Sequence, residues 1–386
     1  RLRQQREKPY SAPLATRLYA METLERPDGT QVREFPRLKF GGAHLERLED
    51  AAGDIVFKAL AGGVVAVALW LTLAAGICRR VAKNQRIGFR RAWAAVWRGR
   101  TDMPWRAVLI TLCVLFAIVG VMASLATGYH VFGTDKVGQD VLYQTLKSIR
   151  TALVIGTLTT LVMLPFAIML GIAAGYFGGR VDDVIQYLYT TLSSIPGVLL
   201  IAAAVLMTQV YIDTHADVFP TAAQRADLRL LFLCIILGVT SWTGLCRLLR
   251  GETLKLKELE FVQAARAFAV SHTRIIGRHL LPNVMHIVLI SVVMEFSGLV
   301  LAEAVLSYVG VGVDPSTNSF GTMINNARLE MAREPMVWWS LAAAFVFMVV
   351  LVLAANLFAD AVRDAFDPRL RARAANPAPA TAEATA

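Results

Sequence analysis

"FVQAARAFAVSHTRIIGRHLLPN", residues 261–283, sets three arginines (Arg266, Arg274 and Arg278) in a helical pattern within a chain that is 56% hydrophobic. Phe261, Ala264, Ala265 and Phe268 fall at i, i+3, i+4 and i+7, which predicts one apolar helical face. Glu258, Gln263 and Arg266 are the polar positions around it. Ser271 is a candidate N-cap for a second short helix, with Ile275, Ile276, His279 and Leu280 on its apolar side. Pro282 then sets the turn into the next apolar run. The stretch reads as a basic helix–turn–helix on a membrane surface, and physics alone leaves two readings open. One is a functional loop, since connections of this length are rarely mere links. The other is an amphipathic helix resting on lipid headgroups.

Outward from that stretch the chain is built for lipid. Only 18% of its 386 residues are charged, against about 25% in soluble domains. Seven runs approach the ~20 apolar residues that a membrane helix needs. They are 55–77, 107–126, 152–176, 184–208, 229–246, 284–306 and 338–359. Pro165, and Pro196 with Gly197, read as kinks of the kind membrane helices tolerate, with Ser193 and Ser194 placed to satisfy freed backbone groups. Barrel-type alternation is absent from the sequence. The expected fold is an all-α membrane protein, a polytopic helical bundle.

The net charge of +10 sorts by loop. Segment 79–106 holds nine positive residues against Asp102, and 247–283 holds seven against three acids. By contrast, 209–228 has one Arg against three Asp, and 307–337 has two Arg against three acids. Basic loops stay cytoplasmic, so 79–106, 177–183, 247–283 and 360–386 are expected inside. Segments 127–151, 209–228 and 307–337 then face outward. The basic excess is thus a topology signal, and no nucleic acid is expected as a partner. Residues 1–54 fall outside, with ten positive residues and nine acids. Either a further span precedes Arg1 or the chain begins with an external polar segment. The Ala/Pro-rich stretch 371–386 reads as a disordered tail.

Chemistry of the enzymatic kind is missing. The sequence has no GxxxxGK[ST] phosphate loop and no nucleophile–base arrangement, so a non-enzyme without cofactor is expected. Cys78, Cys113, Cys234 and Cys246 lack metal-ligand spacing and read as free thiols. His272, His279 and His286 recur every seven residues, a helical rise of about 10.5 Å. That is too far for one ion with bonds near ~2 Å, so no metal site is expected. Two acids enter the run 284–306. Glu303 reads as an interhelical hydrogen-bonding group. Glu295 lies nearer mid-membrane, where a carboxylate either lines a path or pairs structurally. With Ser193, Ser194 and Pro196 it makes up the candidate translocation path.

"QAARAFAVSHTRIIGRHLLP" resembles the EAA loop of bacterial ABC-importer permeases, of the form EAA-x3-G-x9-I-x-LP. Gln263 stands at the Glu, Ala264 and Ala265 match, Ala269 stands at the Gly, His279 at the Ile, and Leu281–Pro282 match. Alanine at the Gly position predicts a turn without positive φ. "GTDKVGQDVLYQTLKSIRTAL" (133–153), "AGYFGGRVDD" (174–183), "LAEAVLSYVGVGVDPSTNSFGTM" (301–323) and "NLFADAVRDAFDPRL" (356–370) are similar, in order and spacing, to the second-permease type of the dipeptide/oligopeptide/nickel importers.

The resemblance implies a six-helix permease core at 105–370. Before it come the segment 1–54 and an additional span with a basic linker at 55–104. It implies a multi-pass protein of the bacterial inner membrane and an EAA-type coupling loop at 249–283. That loop would dock on an ATPase through Glu258, Phe261, Gln263, Ala264, Ala265, Arg266, Phe268, Ala269, Arg274 and Pro282. Implied partners are a second homologous permease, two ATP-binding subunits, a periplasmic solute-binding protein and membrane lipid. The expected function is ATP-driven import of peptides or similar small solutes by alternating access. The outward segment from Ser307 to Met323 is the candidate contact with the binding protein. An ion-driven secondary transporter and a non-transporting scaffold or sensor are the rival readings.

Overall fold

Membrane length sets the helices. Among the described residues of the computed structural model (6–25, 31–101, 103–215 and 218–366), seven helices are long and apolar enough to cross a bilayer. The expected tail 371–386 and Asp102 lie outside the described residues. The chain divides into two units, residues 1–144 with 331–343, and residues 145–330 with 344–386.

In the first unit, strands β1 (Glu22–Glu25) and β2 (Gln31–Glu34) pair antiparallel. Helices α1 (Ala51–Gln85) and α3 (Trp105–Leu125) then pack as neighbouring spans, with the short α2 (Phe89–Trp97) between them. Small residues let α1 and α3 approach: a Cβ on Gly62 would stand 2.5 Å from the Gly120 carbonyl oxygen. Ser124 Oγ donates to the Lys58 carbonyl at 2.7 Å, and Trp70 Nε1 donates to that of Leu109 at 2.8 Å.

The described residues of the polar segment, 6–25 and 31–44, form a folded strap. Their backbone bonds run to the loop before the third span: Glu7 N–H to Gly138 O at 3.0 Å, Leu14 N–H to His130 O at 2.9 Å, and Gly42 N–H to Gly128 O at 2.9 Å. Strap and loop therefore share one side of the membrane. Beneath them His130 is buried, with Nδ1 2.6 Å from Asp140 and Nε2 3.7 Å from Glu7. Burial would lower the imidazole's pKa. The hydrogen bond to Asp140 and the nearby Glu7 carboxylate prevail, and it is raised to about 9. Burial pushes the Glu7 carboxyl up, but His130 and the backbone N–H groups of Phe40, Lys39 and Gly41 outweigh it and hold it below the usual range.

The second unit holds most of α4 (Val141–Phe177), then α5 (Gly179–Ser194), α6 (Gly197–Thr214), α7 (Ala222–Leu256), α8 (Glu260–Ala267), α9 (His272–Ile275), α10 (Leu281–Val309), α11 (Phe320–Glu330) and most of α12 (Trp339–Phe366). Pro165 sits inside α4. Close packing of α4 on α7 again rests on glycine. A Cβ on Gly171 would lie 2.8 Å from the Cys246 carbonyl oxygen, and one on Gly175 would lie 2.7 Å from that of Arg250. Cys78, Cys234 and Cys246 are buried free thiols.

Two expectations need correction here. The apolar run 184–208 is not one kinked helix but two, α5 and α6, broken at Ile195–Pro196. Ile195 is extended (φ −90°, ψ 133°), the conformation a following proline imposes. Pro282 likewise does not turn the chain. Helical winding is continuous from His272 to Val309 through one π turn at Ile276–Leu280, closed by the Leu281 N–H on Ile276 O, and Pro282 follows in the first turn of α10, where its missing N–H is tolerated.

Candidate functional site

The loop between α7 and α10 is anchored by a few residues. Val262 and Ala265 on α8, with Ile275 and Leu280 beyond it, are buried in a cluster that also contains Tyr176, Leu249 and Val284. The apolar stripe expected to face one way is therefore split. Ala265 turns inward (7% exposed), while Phe261 (42%), Ala264 and Phe268 (82%) face out. Helical periodicity located the stripe but not which edge of it met the core, and it missed Val262, which completes the inward edge.

The end of α8 overturns a second expectation. Ala269 has φ +52° and lies in the left-handed region. Its N–H bonds Arg266 O at 3.0 Å, and the Val270 N–H bonds Ala265 O at 3.0 Å. This pair is the Schellman closure of a helix C-terminus, which demands a left-handed residue at that position whether or not it is glycine. Ser271 stands at the N-cap of α9, yet its side chain makes no capping bond. Gln263 Nε2 donates to the Glu258 carbonyl at 3.0 Å. A glutamate carboxylate has no proton to donate there, so the departure from the EAA pattern fits this loop's own geometry.

A polar clasp ties the loop to the end of α4. Tyr176 Oη and His272 Nδ1 lie 2.8 Å apart, and the Arg266 guanidinium stands 4.6 Å from the centroid of the Tyr176 ring. Phe177 packs edge-on against both Tyr176 and His272. Together with Ala269 and Ser271 these groups border an open cleft of about 580 Å³. Phe261 meets His279, at 6.0 Å between centroids, so the histidines of the heptad pattern have different neighbours. Arg274 and Pro282 are exposed.

Within the bundle, Glu295 is half-buried on α10 and makes no hydrogen bond or ion pair among the described residues. A Cβ on Gly244 of α7 would lie 4.0 Å from Glu295 Oε1. Ser194 Oγ donates to the Thr191 carbonyl at 2.7 Å, whereas Ser193 and Pro196 are exposed without such a bond. Glu303 is buried, at 2% exposure, and it bonds both within α10 and to Ser319 at the start of α11, so the expected link between helices is present. It accepts from Ser307 Oγ one turn along α10 at 2.6 Å, and that oxygen in turn accepts the Val313 N–H at 3.2 Å.

Sequence reasoning missed two arginine clamps on α7. Arg229 joins Asp213 at 2.7 Å and Asp314 at 2.8 Å, tying the ends of α6 and α7 to the segment after α10. Arg250 meets both oxygens of Asp182 at 2.5 and 2.7 Å and holds that carboxyl below its usual range. The only signal was an arginine near each end of an apolar run.

Comparison with known proteins bears on the same residues. A family model described as "Binding-protein-dependent transport system inner membrane component" matches residues 167–372. The oligopeptide transport system permease protein OppC of Mycobacterium tuberculosis is 33% identical over 242 residues, covering 63% of this chain and 77% of that one. The dipeptide transport system permease protein DppC of Lactococcus lactis is 31% identical over 240 residues, covering 62% and 64%. An inward-facing MetNI methionine ABC transporter aligns with a TM-score of 0.41 at 18% identity, over 58% of this chain and 93% of that one. The matched region takes in α5–α8, α10 and α12, the exposed loop and both arginine clamps, and the chain belongs to the family of binding-protein-dependent transport system inner-membrane components.

Proposed function

We propose that this chain is the membrane-spanning permease subunit of an ATP-driven importer for peptides or similar small solutes in the bacterial inner membrane. The observation that carries the reading is the α8–α9 loop. It is anchored from inside by Val262 and Ala265, clasped to α4, and turns Phe261, Ala264 and Phe268 away from its own core. Such a stripe suits docking on a separate ATP-hydrolysing subunit, because the chain itself has no phosphate loop. The oligopeptide and dipeptide names of the relatives support the substrate class.

Residues 105–370 form the permease domain in this reading, with the strap and the span α1 added before it. The loop 249–283 faces the cytoplasm, and the strap faces the periplasm. A second homologous permease, two ATP-binding subunits and a solute-binding protein complete the assembly. Glu295, unpaired beside Gly244, lines the path and meets cationic groups of the solute; Ser193, Ser194 and Pro196 border it where α5 breaks from α6. ATP-driven motion of the loop passes through the Tyr176–His272 clasp into α4, and the bundle rocks between its two accessible states.

Reconstitution tests this. The full assembly in vesicles should take up labelled peptide only with ATP and the binding protein present. Uptake that persists without ATP and collapses with an ionophore would overturn the reading in favour of a secondary transporter. For the path, Glu295→Gln should reduce uptake of peptides with a free amine more than uptake of N-blocked analogues. Equal loss of both with intact assembly removes Glu295 from the path.

A further inference from the structure

The first unit carries a surface that peptide import leaves unused. Nine cations cluster where α1, α2 and α3 meet: Arg79, Arg80, Lys83 and Arg86 at the end of α1, Arg90, Arg91 and Arg98 along α2, then Arg100 and Arg106. All nine are exposed, and none of their side chains forms an ion pair or hydrogen bond among the described residues. We propose that α2 and the helix ends beside it bind the headgroups of anionic phospholipids.

The arrangement of α2 carries the argument. Ala92 and Val96, one turn apart, are buried against Ala74, Cys78, Val81 and Leu109, which folds α2 back onto the two spans. Phe89, Trp93 and Trp97 follow one another at i, i+4 and i+8, with centroids 6.3 Å apart at each step. At about 100° per residue, this aromatic row lies next to the buried row, and Arg90, Arg91 and Arg98 occupy the far side. A helix with an aromatic edge and a basic edge matches the boundary between acyl chains and headgroups.

Position selects lipid as the occupant. In the apolar windows of the spans α1 and α3 only 17% and 11% of the residues are buried within the chain, which leaves apolar surface beside α2 open to lipid. Charge selects the headgroup, since nine unpaired cations complement phosphatidylglycerol or cardiolipin and gain nothing from phosphatidylcholine. Membrane orientation would require only the charge count. It would not require an aromatic row, nor a helix pinned back onto its neighbours.

The experiment uses the assembled transporter in nanodiscs of mixed phosphatidylglycerol and phosphatidylcholine, with the tightly retained lipid extracted and counted by class. Phosphatidylglycerol should be enriched about threefold or more over the bulk ratio. Enrichment should fall as salt rises from about 0.1 to 1 M, where screening shortens from ~10 to ~3 Å. The triple variant Arg90→Gln/Arg91→Gln/Arg98→Gln should lose most of the enrichment, and the matching triple to Lys should keep it. Equal enrichment in the Gln variant overturns the proposal. So does loss of the ATP-binding subunits from that variant with its lipid ratio unchanged, which would assign the face to protein. The salt titration on the native chain decides independently of how the variants fold, and salt-insensitive retention also overturns the proposal.

Discussion

Helices α2 and α8 are near-copies in construction and opposites in exposure. Each is short, has Phe near its start, and is pinned to longer helices by one small and one branched residue, Ala92 with Val96 and Val262 with Ala265. Each ends in the same Schellman closure. In α2 the bonds are Gly99 N–H to Val96 O at 3.2 Å and Arg100 N–H to Ala95 O at 2.9 Å. On its exposed side α2, with its C-cap, carries three arginines beside Phe89, whereas α8 carries one, Arg266, with Phe261 and the following Phe268. Apolar periodicity therefore finds such helices without saying what they face. The buried pair fixes the angle, and in the two proposals above the exposed row selects the partner, headgroup in one case and protein in the other.

The largest expected effect tests what the two helices share. Ala265→Asp and Ala92→Asp each place an unpaired carboxylate in a site closed to water, a penalty of about 3–5 kcal/mol. Both variants should lose thermal stability and assembled yield together. If either assembles at native levels, its pinning residue is not where the structure places it. Ala265→Asp is consequently a probe of loop folding and not of docking.

The next effect separates the helices. Phe268→Ala removes an exposed side chain, so stability should hold while affinity for the ATP-binding subunits falls about 30-fold, the equivalent of ~2 kcal/mol at an interface anchor. Phe89→Ala on α2 should leave that affinity unchanged. Titrating purified ATPase against each permease variant measures both. Equal behaviour of the two variants would erase the distinction.

A smaller effect is expected at the clasp, which α2 lacks. Tyr176→Phe removes the hydroxyl that meets His272, worth about 1 kcal/mol. Solute moved per ATP hydrolysed should drop roughly fivefold while ATP turnover continues, because docking is untouched and only the link to α4 is weakened. Unchanged stoichiometry would make the bond ornamental to coupling.

Much of this was legible before any coordinates. Length and apolarity located the spans, the fourth only in its second half, because apolarity is a local and additive signal. The break at Ile195–Pro196 was not, since apolarity continues through it and only backbone sterics end the helix. Glu7 with His130, Arg229 with Asp314, and Tyr176 with His272 were also hidden. Each joins positions far apart in sequence, and nothing in either partner's neighbourhood names the other. Within the loop, the residues of the EAA pattern were found, but two of their geometries were not. Ala265 turns inward because Val262 completes its edge, and Ala269 takes a left-handed backbone because the closure requires it.

That last residue gives the smallest expected effect and the most direct test of the likeness between the helices. Gly99 has φ +68° and open space where a Cβ would stand, so glycine is there for its backbone and not for room. Ala269 occupies the equivalent point at φ +52°. A left-handed conformation disfavours an L-residue by about 1–2 kcal/mol, and glycine gives back roughly 0.5–1 kcal/mol in unfolded-state entropy. Ala269→Gly should therefore stabilise the loop by about 0.5–1 kcal/mol, and Gly99→Ala should destabilise α2 by a similar amount. Hydrogen exchange at the amides of Val270 and Arg100, which close the two turns, reads each effect locally. Slower exchange at Val270 in the first variant and faster exchange at Arg100 in the second is the expected pair. If Ala269→Gly instead speeds exchange at Val270, the left-handed alanine is not strained there, and the two helix ends are alike only in their hydrogen bonds.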